Sequence, residues 1–297
     1  MPPLGRKRRK GWEESETQMK HKSAYLKITI TLLSMITLLV ACNTAKPSTE
    51  TPMEEIKENA TEEYPPKAAN AATAIAEKGV TAWSIVIIGD SLVAEDWSSL
   101  PDIYSEGVAE DLGIEIKINN LGTGGLTCES FLPSLKEYSF NRDPIQNADI
   151  VLVSLGGGDL LNAGEKYFKD KCDDEGGRSC LEESLKEFQA CWDEFLGELT
   201  TLAPPDEKLI RIIIPGAFFQ RYEDQEEKYD SYLKFQDDFY TYQIQSSEAH
   251  GITILDLYHF EEPEGFRMGD NIHVSQEGKK LIANMLRDLG YAYSKQE

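Results

Sequence analysis

From about Val80 onward, short apolar runs alternate with longer amphipathic stretches. Ser84–Ile88, Glu115–Asn119, Ile150–Leu155, Leu209–Ile214 and Ile252–Leu257 are rich in Ile and Val, as expected for strands buried on both faces of a parallel sheet. Ile103–Leu112, Leu181–Leu202, Tyr229–His250 and Glu277–Tyr293 carry helical spacing. The alternation predicts an α/β fold: a three-layer α/β/α sandwich on a mainly parallel five-stranded, flavodoxin-like sheet. Ligands of such a fold bind at the carboxyl ends of the strands. Lys166–Ser179 and Phe218–Asp230 read as long loops near that rim.

The N-terminus follows a different logic. Lys20, Lys22 and Lys27 precede an apolar stretch of 13 residues, Ile28–Val40, which is short for a membrane span and suited to a secretory signal. Leu39-Val40-Ala41-Cys42 places small residues before a cysteine, the pattern of a lipoprotein signal, so Cys42 is the expected lipidation site. A start at Met19 gives this signal normal proportions, which marks residues 1–18 as a candidate mis-assigned start. The expected organisation is a signal peptide over 1–41, a polar tether over 42–79 and one catalytic-sized domain over 80–297. Export with a lipid anchor at the cell surface or in a periplasm follows.

Charge and cysteines narrow the partners. The chain carries a formal net charge of -22, and residues 1–41 are net positive, so the remainder is more acidic still. Such a surface repels nucleic acid and has no affinity for anionic headgroups, leaving the lipid anchor as the expected membrane contact. Cys128, Cys172, Cys180 and Cys191 remain after Cys42, and one or two disulfides are expected in an exported chain. Cys172 and Cys180 bracket a loop that a bridge could close. Their spacing, with no histidine nearby, argues against zinc, and no metal or cofactor is expected.

Two separated segments carry chemistry. Gly89-Asp90-Ser91 ends the first predicted strand, and Asp270-Asn271-Ile272-His273 lies before the last predicted helix. A serine hydroxyl needs a base, and a base needs a group to orient it. Ser91, His273 and Asp270 are the candidates. His250 and His259 read as structural. A helix soon after Ser91 is expected to aim backbone N–H groups at an anion.

With these segments the chain resembles the SGNH hydrolases, also called GDSL esterases and lipases, from about Ser84 to Leu289. Gly89-Asp90-Ser91 matches the nucleophile block, Asn120-Leu121-Gly122-Thr123-Gly124-Gly125 the second block, and Asp270 with His273 the last. The resemblance implies a cofactor-free serine esterase for small-molecule or glycan esters. It makes Gly125 an oxyanion donor, with Gly122 the alternative, and groups Asp90 with the oxyanion or substrate-binding set. The third block departs from the family: Gly156-Gly157-Gly158-Asp159 has Gly158 where the pattern has a donor asparagine. Three readings stand open: a backbone N–H of Gly158 or Asp159 substitutes, Asn162 reaches back from one turn on, or the scaffold is catalytically weak and serves binding or acyl transfer.

Overall fold

The computed structural model describes residues 79–292, apart from 170–171, 173–177, 217–225 and 271. The expected signal peptide, Cys42 and nearly all of the tether lie outside the described residues. Five strands form one sheet: β1 (Ala82–Gly89), β2 (Glu115–Asn120), β3 (Ile150–Ser154), β4 (Leu209–Ile214) and β5 (Thr253–Asp256). Their order is β2-β1-β3-β4-β5, and every pairing is parallel. The chain leaves β1 toward one side for β2 and lies on the other side for β3. The crevice beyond the carboxyl ends of β1 and β3 is therefore the topological switch point, where this class of sheet takes its ligands.

Among the described residues six helices connect these strands and a seventh follows the last: α1 (Leu100–Leu112), α2 (Cys128–Glu137), α3 (Ser139–Asn147), α4 (Gly157–Phe168), α5 (Arg178–Leu202), α6 (Glu226–Ala249) and α7 (Gln276–Asp288). Alternation along a strand sends successive side chains to opposite layers. Ile85 and Ile87 pack with Leu100, Tyr104 and Val108 of α1 and Ile282 and Leu286 of α7. Val86 and Ile88 pack with Leu135, Leu160, Trp192, Phe195 and Phe239 from α2, α4, α5 and α6. Each fully buried aliphatic side chain contributes about 1.5–3 kcal/mol relative to exposure. Ile85–Ile88 of β1 and Ile150–Val153 of β3 are apolar throughout for this reason.

The two cysteine pairs are joined. Cys128–Cys191 ties the start of α2 to α5, and Cys172–Cys180 closes the short segment before and into α5. On the opposite layer, Arg287 of α7 grips Asp111 of α1 through Nε at 2.8 Å and Nη2 at 2.6 Å, and Tyr291 donates to the same carboxylate at 2.6 Å.

Four expectations need correction. β2 is an edge strand with Glu115, Lys117, Ile118 and Asn119 exposed, so it is not buried on both faces. Three helices, α2, α3 and α4, occupy stretches where none was expected. Pro133 and Pro144 sit inside the first two, and three glycines open the third, so propensity pointed away from helix in each. Lys166–Phe168 and Arg178–Ser179 belong to α4 and α5, and Glu226–Asp230 belongs to α6, so neither expected loop is as long as the sequence implied. The rest of both expected loops lies largely outside the described residues.

Candidate active site

β1 delivers the chain into a single tight turn. Asp90 N–H donates to Ser154 O at 3.0 Å, and the N–H groups of Val93 and Ala94 return to Asp90 O at 3.1 and 2.9 Å. Ser91 stands on this turn, half-buried. The expected helix does not follow at once, because α1 begins only at Leu100. Ser91 lines a cavity of about 540 Å³ together with Asp90, Gly125, Gly158 and His273.

His273 is fixed from several sides. Asp270 Oδ1 accepts the backbone N–H groups of Ile272 and His273, each at 3.0 Å, and Oδ2 lies 2.6 Å from His273 Nδ1. A carboxylate only accepts, so Nδ1 carries the proton and Nε2 is left with a lone pair. His273 O accepts from Met268 N–H at 2.7 Å, and Arg267 Nη1 donates to Ile272 O at 3.0 Å. Glu262 holds the same guanidinium through Nε at 2.7 Å and through Nη2. The hydrogen bond from His273 holds the Asp270 carboxyl down at about 2, with the backbone donors adding to it, so it stays ionised through the neutral range.

The same local device occurs twice. Asp256 Oδ1 accepts from the N–H groups of Tyr258 and His259 at 2.9 and 3.1 Å, and Oδ2 lies 2.6 Å from His259 Nδ1. Geometry within the dyad does not distinguish them; location does. His273 lines the cavity with Ser91, whereas His259 is absent from its walls and its side chain is 61% exposed.

On the facing wall, Asn120 binds two segments: Nδ2 donates to Val93 O at 2.8 Å, and Oδ1 accepts from Gly122 N–H at 2.8 Å. Gly122 thereby spends its N–H on Asn120. Gly125, at φ +73, is the left-handed residue of the turn closed by Leu126 N–H to Thr123 O at 3.0 Å, a position that favours glycine. Among the described residues, the N–H groups of Ser91 and Gly125 have no other acceptor. The sequence offered no signal for the Ser91 N–H, because every residue but proline has one.

A family model described as GDSL-like lipase/acylhydrolase matches residues 85–286. The chain belongs to this family. As a GDSL-type enzyme it is a serine hydrolase of ester bonds. Among solved structures, a lipase from a goat rumen metagenome is similar at 22% identity and a TM-score of 0.59, over 72% of this chain and all of the other. A lipase/acylhydrolase from Enterococcus faecalis is similar at 20% identity and a TM-score of 0.48, over 70% of this chain and 94% of the other. The first shares the sandwich fold described above. No curated protein matches the chain.

In this GDSL-type hydrolase the departure at Gly158 has a packing cause. A Cβ added there would lie 2.6 Å from Leu126 O and 3.0 Å from Gly125 O. The first turn of α4 is seated on the glycine loop, and only a residue without a side chain fits. Gly158 lines the catalytic cavity in the first turn of α4, so its backbone stays at the site without a side chain. Asn162 is not brought to the site. It lines a separate cavity of about 470 Å³ with Glu129 and Glu187. α4 points its N-terminus at the catalytic cavity, and one turn on is about 5.4 Å farther away along the helix.

Two acids lie behind the glycine loop. Burial raises Asp90 to about 6 against the opposing pull of the Leu92 N–H, and raises Asp159 to about 7 against the Cys128 N–H, which lies 3.0 Å from Oδ2. Each proton bound at these sites is retained in the folded state at a pH where the unfolded chain has released it. Their contribution to stability is full below the unfolded value of 3.8 and is lost as pH rises through about 6 to 7. Asp159→Asn removes one such liability while keeping an acceptor for Cys128. Melting curves at pH 5 and pH 8 should show the variant gaining on the parent by on the order of 5 °C between the two. A constant difference would rule out the protonated acid.

Proposed function

We propose that the chain is an extracytoplasmic, lipid-anchored serine esterase acting on a small-molecule or glycan ester, with Ser91 as nucleophile, His273 as base and Asp270 as the orienting carboxylate. The observation that carries the reading is His273, its Nδ1 locked by Asp270, in the wall of the same cavity as Ser91. Ser91 Oγ attacks the ester carbonyl and His273 Nε2 takes its proton. The oxyanion is received by the N–H groups of Ser91 and Gly125, and the N-terminus of α4, whose Gly157 and Gly158 line the cavity, adds its partial positive charge. Collapse expels the alcohol, which takes the proton from His273, and water then releases the acyl group by the same route. Acyl transfer to a sugar hydroxyl differs only in the acceptor.

One experiment tests chemistry and location together. Membrane and soluble fractions of cells making the full chain are treated with a fluorophosphonate probe. A single adduct on Ser91 is expected in the membrane fraction, moving to the soluble fraction in Cys42→Ala. No adduct on Ser91 sinks the catalytic reading, and an unmoved adduct sinks the anchor.

A further inference from the structure

Trp97 stands at the mouth of the catalytic cavity with 61% of its surface exposed. An isolated indole on a surface would be unremarkable, but this one is held in place. The main-chain N–H of Trp97 donates to Ala94 O at 3.0 Å, and its main-chain carbonyl accepts from Lys279 Nζ at 3.3 Å. Two residues on, Ser99 Oγ donates to Gln276 Oε1 at 2.9 Å, tying the same loop to the first turn of α7. One face of the indole is stacked on the His273 imidazole, with centroids 5.6 Å apart and planes within 16°. Across the cavity mouth, Gly124 leaves room for the indole edge, since a Cβ there would lie 3.1 Å from Trp97 Nε1.

The reaction assigns this position a role. His273 returns its proton to the leaving alcohol, so the alcohol part of the ester departs beside the imidazole, while the acyl oxygen faces the glycine loop. A group beside His273 meets Trp97. Glu95, Asp96 and Lys279 line the same cavity and offer both acceptors and donors. A flat, exposed aromatic surface in a cavity with groups of both charge signs suits a ring with weakly polar C–H faces and hydroxyl edges. A cationic alcohol would meet the Lys279 ammonium together with Glu95 and Asp96 in the same wall, so the assay sets it against the neutral ring directly.

Resting on the assignment of Ser91 and His273, we infer that Trp97 is the residue that receives the alcohol part of the substrate, and that this alcohol is a neutral polyhydroxylated ring such as a pyranose. The full chain is assayed with a monoacetylated methyl glucoside, ethyl acetate and acetylcholine. Trp97→Ala should lose roughly tenfold or more in kcat/KM on the glucoside, mostly through KM, and less than about threefold on ethyl acetate. Trp97→Phe should recover most of the difference. Equal losses on glucoside and ethyl acetate would overturn the inference, reducing Trp97 to a prop for His273. Acetylcholine preferred over the glucoside would overturn the substrate class. A direct measurement needs no turnover: the glucoside is titrated into Ser91→Ala while tryptophan fluorescence is followed. A change that disappears in Ser91→Ala/Trp97→Phe supports the platform, and no change refutes it. Failure of the esterase reading itself shows separately, as absence of fluorophosphonate labelling at Ser91.

Discussion

Alanine at His273 should lower kcat/KM by about 10⁴-fold or more, the scale on which removal of a serine hydrolase base is felt. Alanine at His259 should leave it within about threefold, as for a surface change away from the reacting groups. The comparison is demanding because the two histidines are built alike. Each follows an aspartate by three residues, each has Nδ1 2.6 Å from Oδ2, and each aspartate takes two backbone N–H groups on its other oxygen. Whatever the dyad does as a local structural clip, both variants lose equally. Only His273 shares a cavity with Ser91. Steady-state kinetics on a short-chain ester, with melting curves to show that both variants fold, decide it. Equal, small effects would mean that the base has been misassigned.

These dyads also show how far the sequence was legible. Asp-x-x-His is readable as a motif, and it occurs twice. The sequence points to His273 through Asp270 three residues before it, but Asp256 stands in the same relation to His259, so the motif alone does not separate them. The strands were more legible: apart from Ser154 and Arg211, β3 and β4 are apolar because they are covered on both faces, and the run itself reports that burial. β2 misled because its Ile116 and Ile118 gave a strand pattern without saying that the strand lies at the edge. α2 and α3 were hidden by Pro133 and Pro144, where tertiary packing of Phe131, Leu135 and Ile145 outweighs the lost backbone bonds. At the site, side chains with a chemical identity could be named in advance. What could not be named were contacts set only by the folded chain: the spare N–H of Ser91, the stacking of Trp97, the Arg267 brace under His273, and the direction in which α4 carries Asn162.

Gly158→Asn, which restores the residue of the family pattern, should make the enzyme worse. If Gly158 were a lost oxyanion donor, asparagine would raise turnover and alanine would not. The packing predicts that both fall together, because both add the same Cβ, 2.6 Å from Leu126 O and 3.0 Å from Gly125 O. Those oxygens are backbone and cannot rotate aside. Either α4 lifts or the turn that aims the Gly125 N–H shifts. Alanine inside a helix is favoured over glycine by about 1 kcal/mol. Forcing atoms into a closed contact typically costs about 1–3 kcal/mol, so the contact outweighs the propensity. Both variants should melt roughly 2–8 °C below the parent. Turnover should fall further than stability suggests, by about 10–100-fold, since displacing a catalytic group by about 1 Å can cost that much. Kinetics of the two variants side by side separate the cases: a gain in asparagine alone would identify a missing donor, and a shared loss identifies a glycine that the oxyanion loop requires. The shared loss also has a chemical corollary. An enzyme that cannot carry the asparagine must stabilise its oxyanion with main-chain groups and the end of α4, and such a site depends on the placement of the Thr123–Leu126 turn more than on any side chain.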